Sequence, residues 1–194
     1  MLSYPEKRDE ILRVLKILYE KDYIQGNVGN ISVKVEEGYY LITPRGKRKA
    51  ELNPEDILLV DRNGGVIEGE LQPSIELKTH LAWYSVRPDI SAIIHAHPPY
   101  TTAASFYMTS ESKPLMTELE EIVGKKIISI PYKKAGSEEL EKEVREKGAQ
   151  EGVYIIVLQK HGLLVGGKSM FDTLNKLELY EFDTKVRILK ELVI

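Results

Sequence analysis

The sequence of 194 residues predicts an α/β or α+β sandwich built on a mainly antiparallel central sheet. Three observations support this prediction: an amphipathic helix at the start of the chain, two hairpins after it, and then strands mixed with helices. A chain of this length fits one globular domain, and no repeat or linker divides it. We therefore expect residues 1–194 to form a single domain.

The first half of the chain carries the first helix and both hairpins. Apolar residues recur at helical spacing after Pro5, which predicts a helix over about residues 5–21. Alternating and β-branched residues predict strands at residues 31–35, 39–42, 57–60 and 66–68. After Pro73 the spacing is helical again, so we expect a helix with Ser74 as its N-cap and Glu76 in its first turn.

The second half of the chain alternates between short apolar runs and longer amphipathic segments. The predicted strands are residues 90–97, 127–130, 153–158 and 163–165, and the predicted helices are residues 99–108, 137–147 and 169–192. The order of the strands in the sheet is not readable from this pattern.

Composition and charge exclude several classes of partner and site. The formal net charge is -3, with 27 basic and 30 acidic residues interspersed, so we expect neither nucleic acid nor a membrane surface as a partner. Cysteine is absent, and a metal would therefore need nitrogen and oxygen ligands. The charged amino terminus is unlike a signal peptide, and no apolar run is long enough to span a membrane, which predicts a cytoplasmic protein.

Three of the four histidines lie at or just beyond the ends of predicted strands. His95 and His97 end an apolar run, and alternation places both side chains on one face before Pro98 stops the strand. His161 follows another run of β-forming residues. Three neutral imidazoles leave one coordination position open, which is typical of a catalytic zinc site. The alternative is a chance pair with one ring hydrogen-bonded in the core.

Two residues of the helix after Pro73 are candidates for chemistry. Glu76 is interpreted as a carboxylate that competes for the open metal position and acts as a general acid or base, the alternative being a carboxylate that stabilises the helix dipole. His80 lies four residues later, where a packing or hydrogen-bonding role is the better prediction. It is not assigned to the metal.

Two loops and one helix start are suited to phosphate. The glycines of residues 26–30 allow backbone N–H groups to converge on an anion, and residues 43–46 supply a hydroxyl, a guanidinium group and a glycine. Ser74 would add a hydroxyl at the start of a helix, where negative charge is favoured. Ordinary turns are the alternative for each segment taken singly.

Five segments together resemble the class II aldolase and adducin head-domain family over nearly the whole chain. They are QGNVGNIS, LITPRG, QPSIELKTHLAWY, IIHAHPPYTTA and QKHGLLVGG, in the order of the family. The resemblance implies a three-layer α/β/α sandwich with a mainly antiparallel central sheet. It also implies a homotetramer with active sites between subunits, in which Glu118 or a close neighbour reaches the adjacent site.

The resemblance also implies roles for individual residues. The implied ligands of Zn²⁺ or another divalent metal, one ion per subunit, are His95, His97 and His161, with Glu76 binding at rest and serving as the acid/base. The implied phosphate-binding residues are Gly29, Asn30, Thr43, Gly46 and Ser74. Fuculose-type aldolases of the family often carry Ser-Ser-Glu, whereas this chain has Ser74-Ile75-Glu76 and lacks one hydroxyl.

The implied activity is cleavage of a ketose 1-phosphate, such as L-fuculose 1-phosphate, to dihydroxyacetone phosphate and an aldehyde. Alternatives on the same scaffold are a 4-epimerase acting on L-ribulose 5-phosphate and a methylthioribulose 1-phosphate dehydratase. A non-enzymatic, adducin-like interaction module and an unrelated metal hydrolase are further alternatives. The ligand spacing does not separate the enzymes from one another.

Overall fold

The computed structural model describes residues 2–108, 111–124 and 126–192. Within these ranges the helices are α1 (Pro5–Glu20), α2 (Leu77–Val86), α3 (Pro99–Ala104), α4 (Thr117–Val123), α5 (Glu138–Gly148) and α6 (Met170–Lys190). The strands are β1 (Asn30–Glu36), β2 (Tyr39–Ile42), β3 (Leu58–Asp61), β4 (Val66–Glu68), β5 (Ala92–Ala96), β6 (Glu111–Ser112), β7 (Ile127–Ile130), β8 (Ile155–Leu158) and β9 (Gly162–Gly167).

All these strands belong to one sheet, in the order β4-β3-β2-β1-β5-β9-β8-β7-β6. Neighbouring strands are antiparallel except β7 and β8, which are parallel. The predicted mainly antiparallel sheet is therefore confirmed. Strand β5 lies at the centre, between β1 and β9, and its end carries the first of the candidate ligands.

Helices cover both faces of the sheet. Neighbouring residues of β5 show the division, because Ile94 packs in a core with α1, α4 and α6, whereas Ile93 packs in a core with α2 and α5. Helix α3 packs against α6 on the first of these faces. The three-layer α/β/α arrangement is confirmed. Among the described residues, no helix is both long and apolar enough to cross a membrane.

The start of α2 differs from the prediction. Ser74 is not its N-cap, because the helix begins at Leu77 and Glu76 occupies the cap position. The hydroxyl of Ser74 instead accepts a hydrogen bond from the backbone N–H of Glu76 at 3.3 Å, so residues 74–76 form a local turn that competes with the helix. Glu76 therefore precedes the helix rather than lying in its first turn.

Two other elements end earlier than predicted, and four short elements were not predicted. Strand β5 ends at Ala96, one residue before His97, and α3 ends at Ala104 rather than at residue 108. The sequence analysis missed β6, α4 and two 3₁₀ helices, Lys49–Glu51 and Pro54–Asp56. These elements are short, and tertiary packing rather than local pattern stabilises segments of that length.

Candidate active site

The sheet brings the three predicted histidine ligands together at the ends of its central strands. His95 lies on β5 and is 1% exposed, His97 follows that strand, and His161 lies in the turn between β8 and β9. The ring centroids of His95 and His97 are 4.7 Å apart, those of His95 and His161 are 4.7 Å apart, and those of His97 and His161 are 5.2 Å apart. Residues distant in sequence thus form one cluster.

A glycine makes this close approach possible. A Cβ atom on Gly162 would lie 2.4 Å from the carbonyl oxygen of Ala96 and 2.7 Å from Cδ2 of His97. Because any larger residue would push β9 away from the end of β5, Gly162 allows His161 to approach His97. The Gly that follows His161 in the sequence is therefore part of the site geometry.

Two of the ring nitrogens have the separation that one tetrahedral metal ion requires. Nε2 of His95 lies 3.2 Å from Nε2 of His161, and two nitrogens bound to one tetrahedral zinc ion are about 3.3 Å apart. Nδ1 of His95 lies 3.0 Å from the carbonyl oxygen of Leu163, which can only accept, so this nitrogen carries the proton and Nε2 keeps its lone pair. The three histidines fit a metal ion, with ligand atoms within 4.8 Å of one another.

Burial keeps two of these imidazoles neutral. It lowers the pKa of His95 well below its usual value, and the neighbouring His161 lowers it further. Burial also lowers the pKa of His97 to about 3, with smaller contributions from His95 and His161. Metals bind the neutral form of imidazole, so His95 and His97 are in the correct protonation state at neutral pH.

Glu76 points a carboxylate oxygen at the same cluster. Its Oε2 lies 3.2 Å from Nε2 of His95 and accepts a hydrogen bond from Nδ2 of Asn30 at 2.8 Å. Glu76 is 4% exposed, which does not fit a solvated carboxylate at a helix start. Oε1 of Glu76 and Oδ1 of Asn30 are buried without hydrogen-bond partners among the residues that the structure describes. Such orphaned atoms at one place indicate a site that a ligand completes.

A pocket of about 280 Å³ opens over the histidines and Glu76. Four of the five predicted phosphate residues line it: Gly29, Asn30, Gly46 and Ser74. Thr43 does not line it, because its hydroxyl is buried and accepts a hydrogen bond from the backbone N–H of Ile31 at 3.1 Å. The structure therefore gathers the predicted phosphate loops around one pocket and leaves Thr43 beneath it.

The sequence analysis missed two residues of the pocket wall, Lys49 and Ala135. Lys49 belongs to the charged segment KRKAE, which has the composition of a solvated surface, yet its side chain is buried. Ala135 precedes α5 and carries no polar side chain that would signal a site. Only the three-dimensional arrangement places either residue at the pocket.

The fourth histidine behaves as predicted. His80 is fully buried, and its Nδ1 lies 2.7 Å from Oγ of Ser32, which in turn lies 2.9 Å from the hydroxyl of Tyr84. Burial lowers the pKa of His80 to about 4. The hydrogen-bonding role is confirmed, and among the described residues His80 is not part of the histidine cluster.

Comparison with known proteins identifies the family. The family described as Class II Aldolase and Adducin N-terminal domain matches residues 9–188. An L-fuculose phosphate aldolase of Methanocaldococcus jannaschii is 34% identical over 96% of this chain and 98% of its own length. A solved structure titled L-fuculose 1-phosphate aldolase superimposes with a TM-score of 0.88 at 33% identity, covering 98% of this chain and 88% of that chain.

Relatives with other names match as well. A 5-deoxy-D-ribulose 1-phosphate aldolase of Bacillus thuringiensis is 31% identical over 93% of this chain and 84% of its own length. A 3-oxo-tetronate 4-phosphate decarboxylase of Haemophilus influenzae is 28% identical over 93% of this chain and 86% of its own length. The resemblance carried by the five sequence segments is confirmed, and the relatives favour an enzyme over an interaction module. This chain belongs to the class II aldolase and adducin N-terminal domain family, and it is a lyase.

Proposed function

We propose that the protein is a zinc-dependent aldolase that cleaves a ketose 1-phosphate, such as L-fuculose 1-phosphate, to dihydroxyacetone phosphate and an aldehyde. The observation that carries this proposal is the convergence of His95, His161 and Glu76. Nε2 of His161 and Oε2 of Glu76 each lie 3.2 Å from Nε2 of His95, and all three residues line the pocket. The arrangement offers three imidazole nitrogens and one carboxylate oxygen that a substrate can replace.

The reaction moves one proton from the C4 hydroxyl group of the substrate to C3. Cleavage breaks the C3–C4 bond, the C4 hydroxyl loses its proton to give the aldehyde, and C3 gains a proton to give dihydroxyacetone phosphate. A zinc ion held by His95, His97 and His161 would act as a Lewis acid that stabilises negative charge on the substrate oxygens. Glu76 delivers the proton to C3, because it is the carboxylate that lies beside the histidines.

The phosphate end of the substrate would be held by another part of the pocket wall. Gly29, Gly46 and Ser74 line this anion-binding wall, and their backbone and hydroxyl groups are the donors proposed for the phosphate. Binding there orients the carbonyl end toward the histidines and Glu76. Such orientation lowers the barrier of the chemical step by several kcal/mol in favourable cases, roughly in line with measured effective molarities.

Decarboxylation is a second candidate, favoured by the relative named 3-oxo-tetronate 4-phosphate decarboxylase. Loss of carbon dioxide from a 3-oxo acid leaves the same kind of negative charge beside a carbonyl group as aldol cleavage does. The same histidines and the same proton donor would serve either reaction. The difference between the two must therefore be measured with substrates.

A turnover panel tests the proposal. Metal-loaded protein is incubated with L-fuculose 1-phosphate, 5-deoxy-D-ribulose 1-phosphate, L-ribulose 5-phosphate, methylthioribulose 1-phosphate and 3-oxo-tetronate 4-phosphate. Dihydroxyacetone phosphate from either of the first two substrates is the expected result. Release of carbon dioxide, an epimer or a dehydrated product from one of the others, without aldol cleavage, would reject the aldolase proposal.

We also propose a homotetramer in the cytoplasm. Aromatic side chains are exposed at Phe106, Tyr107, Phe171 and Phe182. Exposed aromatic side chains favour association, because an interface that buries them removes apolar area from water. Glu118 is exposed on α4 and lies outside this chain's own pocket, as a residue that serves a neighbour would. Light scattering should give four times the mass of the chain, and a fully active monomer would contradict the proposal.

A further inference from the structure

We propose that Lys49 supplies the buried positive charge of the anion-binding wall and pairs with the phosphate group of the substrate. This inference deepens the proposed function and rests on it for the identity of the anion. It adds a buried charged side chain to a wall that otherwise offers backbone and hydroxyl donors and the exposed guanidinium group of Arg45.

The position of Lys49 links the two loops that surround this wall. Its backbone N–H donates to the carbonyl oxygen of Gly26 at 2.9 Å, and its Nζ donates to the carbonyl oxygen of Pro44 at 2.6 Å. The side chain is 3% exposed and lines the pocket together with Gly46 and Ser74. The ammonium group is therefore held by Pro44, which itself lines this pocket.

The charge of Lys49 has no carboxylate to balance it. Over residues 2–108, 111–124 and 126–192, no carboxylate lies within ion-pair distance of its Nζ, and the carbonyl of Pro44 uses one of three N–H donors. Its neighbours differ, since Lys47 pairs with Asp56 at 2.7 Å and Arg48 pairs with Glu51 at 2.8 Å. A buried cation without a partner is unfavourable.

Burial of Lys49 also changes the pKa of its ammonium group. Burial lowers the pKa of this lysine from 10.5 to about 8, so the charged form still predominates at pH 7. A phosphate group would provide the missing negative charge and accept the remaining N–H donors. Arg45 also lines the pocket, but its side chain is exposed at the rim and can be solvated when the pocket is empty. The buried ammonium group of Lys49 cannot be solvated in this way.

Binding of inorganic phosphate to metal-loaded protein provides the test. Isothermal titration at pH 7 compares the wild type with Lys49→Met, which removes the charge and keeps the length. Lys47→Met is the matched control, because it removes the same charge two residues away, at a side chain outside the pocket. We expect the dissociation constant to rise about 10- to 100-fold in Lys49→Met and to change less than about twofold in Lys47→Met.

A structural role, in which Lys49 only holds the loop at Pro44, predicts other results. Lys49→Arg keeps the charge, so it should weaken phosphate binding by less than about threefold if charge is what matters. Equal loss in Lys49→Arg and Lys49→Met, or unchanged binding in Lys49→Met, would overturn the inference. Thermal unfolding of each variant shows whether the fold survives.

A measurement on the wild type avoids the variants. Phosphate binding should raise the pKa of Lys49, so the ¹³Cε resonance of this lysine at pH 8 should move toward that of the charged form. A resonance that does not respond to saturating phosphate would overturn the inference.

Phosphate binding that depends on Lys49 without turnover of any ketose 1-phosphate would reject the proposed function alone. Turnover with phosphate binding independent of Lys49 would reject this inference alone.

Discussion

Helix α2 has a buried ionisable residue at each end, Glu76 before it and Arg87 after it, at 4% and 5% exposure. Arg87 donates to the carbonyl oxygens of Gln150 and Val153 and forms two hydrogen bonds of 2.8 Å with the carboxylate of Asp89. Glu76 has a side-chain partner in Asn30, and its Oε1 has none within the described part of the chain.

This difference separates a structural end of the molecule from a reactive end. Arg87 ties α2 to the segment between α5 and β8, so its charge is satisfied by the fold itself. Asn30 holds Oε2 of Glu76 beside His95, while Oε1 has no partner among the described residues and is left for a proton or a substrate. Proteins keep few buried polar groups without partners, and those that remain require a functional explanation. A substitution at the structural end should therefore lower the stability of the protein. A substitution at the reactive end should instead lower its metal binding or its activity.

The largest expected effect is at the reactive end. His97→Ala removes one of three nitrogens, so the metal content of purified protein should fall from about one ion per chain to less than roughly a tenth, with activity lost. Metal analysis by mass spectrometry measures this. His80→Asn is the control, since it changes a histidine outside the cluster and should keep the metal. Full metal content in His97→Ala would refute the assignment of the triad.

At the structural end we expect a loss of stability instead. Arg87→Met leaves buried carbonyl groups without a donor, and the free energy of unfolding should fall by about 2–4 kcal/mol. Urea denaturation measures the change. Arg145→Met, at a half-exposed arginine that pairs with Glu141, should cost less than about 1 kcal/mol. If Arg87→Met keeps its stability but loses metal, the division between the two ends is wrong.

The side chain of Asn30 has two candidate roles. The sequence predicts that it binds phosphate, whereas in the structure its Nδ2 donates a hydrogen bond to Glu76. Asn30→Ala should lower kcat about tenfold with little change in KM, since a hydrogen bond to a charged group contributes about 1.5–3 kcal/mol. Asn27→Ala, at a neighbouring residue of the pocket wall, is the control and should change kcat by less than about twofold. A rise in KM at constant kcat would instead support the predicted role of Asn30 in binding phosphate.

Much of the fold could be predicted from the sequence because its patterns are local. The alternation before His95 and the β-forming run before His161 correctly placed both residues at strand ends. The pairing of β1 with β5, which sets Asn30 opposite His95, joins residues far apart in sequence. No local pattern encodes that register, so the contact between Asn30 and Glu76 was not predicted.

The site was predicted less completely on its phosphate side. Ser74 was taken for an N-cap because Ser is a common cap, but its hydroxyl accepts the N–H of Glu76 two residues later. Lys49 lies in a segment with three other charged residues, where solvent exposure is the ordinary expectation. Its burial results from the folding of the loops around Gly26 and Pro44, which composition does not reveal.

Turnover by Glu76→Gln tests the central claim most directly. Gln keeps the size of the side chain and can still accept a hydrogen bond from Asn30, but it cannot carry a proton to carbon. We predict that the variant keeps its fold and its metal while kcat falls by about 10²–10⁴-fold on the substrate that the wild type cleaves. Turnover within a few-fold of the wild type would contradict the account, because Glu76 would then be a buried carboxylate without a role in the proton transfer.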